Sequence, residues 1–107
     1  MNRLAQTLVR LQATIAARAG ADASASYTAK LLANPSLAAK KLGEEAIETV
    51  IAATQGDTDA VAAESADLLY HWLVLLQASG VSPDAVAEKL EAREGRSGLE
   101  EKAARKP

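Results

Sequence analysis

Glu64-Ser65-Ala66-Asp67-Leu68-Leu69-Tyr70-His71-Trp72-Leu73-Val74-Leu75-Leu76 sets the architecture of this chain. From Leu68 onward the run is apolar nearly all round, which no amphipathic surface helix is. A helix of this kind must be covered on more than one side. A domain of 107 residues has little interior with which to do so. The stretch therefore predicts an all-α protein that assembles as a helical dimer or larger, with Trp72 and its leucine neighbours shared between core and interface. The polar start of the run carries a second message. Glu64, Asp67 and His71 are spaced three and four apart, so they share one face of the helix.

The neighbouring punctuation frames this helix. Asp57 or Thr58 begins it and Gly80 stops it. Upstream, Asn34 is a helix cap and Pro35 suits the first helical position. The helix they start runs to about Gln55, where Gly56 supplies a left-handed stop. So short a link makes the two helices antiparallel neighbours. A first helix over residues 2–19 is marked by Leu4, Leu8, Leu11 and Ile15 at helical spacing and closed by Gly20. Residues 21–25 read as a loop, and Ser26-Tyr27-Thr28 leads into one or two helical turns over residues 29–33. A last helix starts at Ser82-Pro83, with Val81 and Val86 placed as a hydrophobic staple, and ends between Arg93 and Arg96. The expectation is one four-helix bundle-like domain over residues 1–107, with residues 97–107 a loosely ordered basic tail.

The chemistry concentrates on the two central helices. Glu44, Glu45 and Glu48 follow Gly43, and at about 100° per residue they fill an arc of about 100°, with Lys41 on the same arc one turn earlier. In an antiparallel pair this arc meets the Glu64–Asp67 face. Four or five carboxylates so close repel one another strongly without a cation. An oxygen-only cluster suits a hard divalent ion such as magnesium, which keeps open positions for water and substrate oxygens. The pattern reads as a magnesium site that holds a polyphosphate. Solvated glutamates on exposed faces are the bland alternative. Against it, Leu37, Ile51 and Ala52 flank the arc, and like charges one turn apart weaken a helix. His71 either backs a carboxylate from behind or is a hydrogen-bonded core residue, and Tyr27 belongs to the same class. Lys40 and Lys41 either balance the acidic run or reach phosphate, and Lys30, Lys102 and Arg105 are further cations.

Composition narrows the class. Net charge is −2, with 49% apolar and 24% charged residues, which is ordinary for a globular protein and offers no basic face for nucleic acid. Trp72, Tyr27 and Tyr70 are the only aromatics, so there is no platform for stacking bases. No run approaches a membrane span, and the first residues lack a signal-peptide pattern. The absence of cysteine excludes disulfides and thiolate zinc sites and fits a reducing compartment. A cytoplasmic location is expected.

Four segments carry a resemblance to a known family. They are Ser26-Tyr27-Thr28-Ala29-Lys30-Leu31-Leu32, Lys40-Lys41-Leu42-Gly43-Glu44-Glu45-Ala46-Ile47-Glu48, Glu64-Ser65-Ala66-Asp67-Leu68-Leu69-Tyr70-His71, and Arg96-Ser97-Gly98-Leu99-Glu100-Glu101-Lys102. Together they resemble the phosphoribosyl-ATP pyrophosphatases, members of the all-α nucleotide pyrophosphohydrolases that include the MazG-like enzymes. The split Glu-x-x-Glu and Glu-x-x-Asp pattern points only to the superfamily, whereas the Ser-Tyr-Thr, Asp-Leu-Leu-Tyr-His and Ser-Gly-Leu-Glu-Glu-Lys runs are far more specific. The departure is Asn34-Pro35, where a glycine is more usual, and it lies away from the acidic residues. The resemblance implies magnesium-dependent hydrolysis of phosphoribosyl-ATP to phosphoribosyl-AMP and pyrophosphate, the second step of histidine biosynthesis, by a chain without a fused cyclohydrolase. It also implies Glu45, Glu48, Glu64 and Asp67 as metal ligands, and Glu44 as the group that orients or deprotonates water, with Glu48 also catalytic. Lys30, Lys41, Lys102 and Arg105 become phosphate contacts, the tail ordering on substrate. Two rivals remain: a MazG-like house-cleaning pyrophosphatase of ordinary nucleoside triphosphates, and a non-enzymatic helical dimerisation module with a structural acidic patch.

Overall fold

Each helix begins where a side chain can take up the free N–H groups of its first turn. In the computed structural model, which describes residues 2–95 and Gly98, Asn2 Oδ1 accepts from the Leu4 N–H at 2.8 Å and opens α1 (Arg3–Ala17). Ser26 Oγ accepts from the Ala29 N–H at 3.2 Å and opens α2 (Tyr27–Leu32). Asn34 Oδ1 accepts from the Leu37 N–H at 3.2 Å ahead of α3 (Pro35–Thr54). Asp57 Oδ1 accepts from the Ala60 N–H at 3.0 Å ahead of α4 (Thr58–Ser79), and Ser82 does the same for α5 (Pro83–Glu91). No strand occurs among the described residues. The expected tail, with Lys102 and Arg105, lies outside them.

Three boundaries differ from expectation, the first helix stopping at Ala17 and not at Ala19. The short helix starts at Tyr27, because Ser26 is its cap and not part of a lead-in. The last helix stops at Glu91, short of Arg93.

The link between α3 and α4 is as tight as its sequence demands. Gly56 takes φ 71°, a left-handed conformation that glycine adopts without penalty. There the Asp57 N–H reaches back to the Ala52 carbonyl at 3.2 Å and the Gly56 N–H to Ala53 at 3.1 Å, the paired bonds of a Schellman stop. Asp57 then caps α4 directly, so the chain reverses within three residues, Gln55 to Asp57. The two long helices run antiparallel and form the most extensive packing in the molecule. α2 lies across both of them, and α1 packs on α4.

The core is small. Ile15, Leu31, Ala38, Leu73 and Val74 form it, with Leu8, Leu11, Leu37, Trp72 and Leu76 packed around them. Burying a side chain such as Ile15 or Leu31 contributes about 1.5–3 kcal/mol. Of the leucine stripe on α1, Leu8, Leu11 and Ile15 pack, while Leu4 is left 55% exposed. The apolar run of α4 is only partly covered: Leu73 and Val74 are buried, while Leu68, Leu69, Trp72, Leu75 and Leu76 are half-buried. No helix among the described residues is long and apolar enough to cross a membrane.

Candidate metal centre

The antiparallel crossing sets Glu48 of α3 opposite Glu64 of α4. One oxygen each from Glu45, Glu48 and Glu64 falls within 4.8 Å of the others. Glu45 and Glu64 are half-buried and Glu48 is exposed. Glu45 Oε2 and Glu64 Oε2 are both buried without a hydrogen-bond partner. An unpaired buried oxygen of this kind is costly, and like charges beside it add to the cost. The protonation of the group records that cost. Burial, then the Glu48 carboxylate, pushes the Glu45 carboxyl above its usual range. The Glu48 carboxyl beside it, with burial and Glu45 behind, pushes the Glu64 carboxyl up to about 7.

Oxygen donors alone, gathered from two rigid helices and with Glu45 Oε2 and Glu64 Oε2 left without a hydrogen-bond partner, fit a hard divalent cation such as magnesium better than any other ion class. Beside them lies a cleft of about 220 Å³ lined by Glu48, Ile51, Ala52, Gln55, Ala60 and Glu64. Gln55 and Ala60 escaped the sequence reading, although both lie on the acidic faces continued toward the turn.

The other expected site residues are distributed around this trio. Asp67 is exposed and outside it, yet near enough for its charge to act on Glu45. Glu44 is paired with Lys41, whose Nζ stands 3.3 Å from its Oε1. That hydrogen bond and its charge hold the Lys41 ammonium above the ordinary lysine range. Lys30 is exposed on α2 and lines an open pocket with Ser24, Ser26 and Tyr27. His71 is buried, and its Nδ1–H donates at 2.8 Å to the main-chain carbonyl of Asp67 and not to a carboxylate. Tyr27 places its hydroxyl 3.5 Å from His71 Nε2. Lys102 and Arg105 lie outside the described residues.

The raised Glu64 carboxyl has a measurable consequence. Its ordinary value is 4.5 and its folded value about 7, so between the two the folded chain holds a proton that the unfolded chain has released. The associated stability is fully present below the ordinary value and is lost as pH rises through the folded one. Thermal melts in a chelator should therefore show a Tm that falls from about pH 5 to about pH 7.5, and Glu64→Gln should flatten this dependence. A Tm that rises over the same interval would contradict the geometry.

Comparison with known proteins follows the same residues. The sequence pattern of the phosphoribosyl-ATP pyrophosphohydrolase family matches residues 8–94, a span that includes Glu44, Glu45, Glu48, Glu64 and Asp67. The chain is 73% identical over 103 residues to a phosphoribosyl-ATP pyrophosphatase of Caulobacter vibrioides (strain NA1000 / CB15N), covering 96% of each chain. It is 66% identical over 102 residues to that of Parvibaculum lavamentivorans, covering 94% of each. With that of Azospirillum brasilense it shares 57% identity over 103 residues, covering 95% of this chain and 93% of the relative.

Proposed function

The chain belongs to the phosphoribosyl-ATP pyrophosphohydrolase family and is a hydrolase, and on that premise we propose that it adds water across the α–β phosphoanhydride bond of phosphoribosyl-ATP. The products are phosphoribosyl-AMP and pyrophosphate, and the step serves histidine biosynthesis. The observation that most supports a metal-assisted route is the pair of buried, partnerless oxygens on Glu45 and Glu64 within the three-carboxylate group. Glu45, Glu48 and Glu64 hold magnesium, and Asp67 joins them from the next turn of α4. Bound there, the ion neutralises phosphate charge and acidifies water. Glu44 orients the attacking water or takes its proton, with the Lys41 ammonium paired beside it. Lys30 and Lys41 contact the phosphates from the α2 side, and Lys102 and Arg105 complete the cationic set. Such contacts stabilise the charge that develops on the leaving pyrophosphate.

Phosphorus NMR of a completed reaction tests the bond that is cut. Pyrophosphate with phosphoribosyl-AMP is the expected pair. Inorganic phosphate with phosphoribosyl-ADP would place the cleavage elsewhere and refute the assignment.

The working form in this proposal is a homodimer or a higher homo-oligomer. Ile47, Val50 and Ile51 form an apolar ridge on α3 with exposures of 62%, 61% and 48%. The radius of gyration is 15.9 Å, against about 13 Å for a compact domain of this length. A helix pair so open is the kind that a second copy covers. Replacing Ile47 and Val50 together by glutamate should turn a dimer into a monomer in sedimentation velocity and lower the Tm. A wild-type protein that sediments as a monomer at micromolar concentration would count against the assembly.

A further inference from the structure

The acidic stripe of α3 has two unlike ends. Lys41, Glu44, Glu48, Ala52 and Gln55 recur at helical spacing, so they share one face. At one end, Lys41 pairs with Glu44 at 3.3 Å. At the other, the cleft of about 220 Å³ begins at Glu48 and Glu64 and runs toward the α3–α4 turn. Past those two carboxylates its walls carry no charge: Ile51, Ala52 and Gln55 line it from α3, and Ala60 lines it from α4. Both helices present alanine where a longer side chain would close the groove. Ala52 is its floor, only 5% exposed.

Glu48 and Gln55 lie two turns apart, about 10 Å along the helix axis. The cleft is smaller than the ~300–1,000 Å³ of pockets that enclose a whole drug-sized ligand, so it takes one part of a substrate. A flat, neutral ring system on a ribose suits that length and those apolar walls. A phosphate does not, because a charge laid against them is left unpaired. Gln55 ends the groove. Its main chain is fixed where α3 closes, with its N–H bound to the Ile51 carbonyl at 3.0 Å. Its exposed carboxamide has no hydrogen-bond partner among the described residues. A carboxamide offers a carbonyl acceptor and N–H donors, the set that reads the N6 and N7 edge of adenine.

We infer that the groove from Glu48 to Gln55 takes the adenosine half of the substrate, with Gln55 reading the N6 and N7 edge of the base. The inference rests on the hydrolase reading given above, and it sets which way the substrate lies. The α-phosphate and its nucleoside point toward the α3–α4 turn, and the leaving pyrophosphate points toward Lys41. In phosphoribosyl-ATP the second ribose occupies N1 of the ring, so N6 and N7 form the edge left open to a carboxamide.

Two variants and one altered substrate test this. Gln55→Leu keeps the length and helix propensity of the side chain and removes the carboxamide. Ala60→Leu fills the groove from α4. Ile51 also belongs to the α3 ridge and is left as it is. In calorimetric titration with magnesium, each variant should bind phosphoribosyl-AMP about tenfold more weakly, the scale of one lost contact. Pyrophosphate should bind both as it binds the wild type. A 7-deaza analogue of phosphoribosyl-ATP lacks the N7 acceptor. It should raise the KM of the wild type about tenfold and leave that of Gln55→Leu where the variant already stands. Phosphoribosyl-AMP that binds both variants as tightly as the wild type would overturn the inference. Weakened pyrophosphate binding in both would reverse the direction of the substrate and overturn it too, and an indifferent wild type given the 7-deaza analogue would remove the Gln55 contact. A wild type that releases no pyrophosphate would sink the hydrolase assignment and this inference with it. An active wild type beside two unaffected variants would sink the inference alone.

Discussion

Glu48→Gln should lose turnover by roughly 10²–10³-fold, the scale seen when one electrostatic group aimed at a reacting phosphate or oxyanion is removed, and it should keep its fold. Glu48 is exposed on α3, so no packing is lost with its charge. Glutamine has nearly the same volume and a similar helix propensity. The negative charge is the only large change, and it adds to burial in raising the Glu45 carboxyl and leads in raising that of Glu64. Without the metal, the variant should therefore melt at the same temperature as the wild type or slightly above it. Pyrophosphate release and thermal melts on the same preparation check both halves of this result. An active Glu48→Gln enzyme would mean that the acidic group is structural. A variant that fails to fold would contradict the exposure of Glu48.

The second large effect is on stability. Magnesium that binds the folded chain and not the unfolded one stabilises by about 2.7 kcal/mol at a concentration 100 times its Kd. For a domain of this size, about 1 kcal/mol corresponds to roughly 4–8 °C, so saturating magnesium should raise the Tm by roughly 10–20 °C. The physical source is the relief of two buried, partnerless oxygens. Glu64→Gln removes one of them together with a ligand charge, and it should lose most of the shift. Differential scanning fluorimetry across a magnesium series, repeated with the variant, reads this directly. Equal shifts in the two proteins would place the ion elsewhere.

The helices were legible because their signals are local. Asn34-Pro35, Gln55-Gly56-Asp57, Gly80 and Ser82-Pro83 each dictate a backbone event within a few residues, and each event occurs where the sequence places it. Ser26 was harder to read, since Ala29 and not Glu stands at the third helical position and the reciprocal half of a capping box is missing. The acidic faces were legible from helical spacing, but the grouping within them was not. Glu44, Glu45 and Glu48 share one arc, and the α3–α4 crossing, which no spacing rule specifies, brings Glu45 and Glu48 to Glu64 while Glu44 pairs with Lys41. His71 shows the limit most clearly. From spacing it could back a carboxylate or sit in the core. In the fold it is buried, and it binds the Asp67 main chain on one side and faces Tyr27 on the other. The contacts that fasten α2 to α4 span 42 to 44 residues of chain, beyond any local pattern.

Pyrophosphate release from phosphoribosyl-ATP, measured beside ordinary nucleoside triphosphates with and without magnesium, bears most directly on the assigned activity. Magnesium-dependent release from phosphoribosyl-ATP, with little or none from the ordinary triphosphates, is the result expected of these carboxylates in this family. Release from the ordinary triphosphates instead would keep the metal centre and move the chain to house-cleaning chemistry, and release from none of them would contradict the enzymatic role.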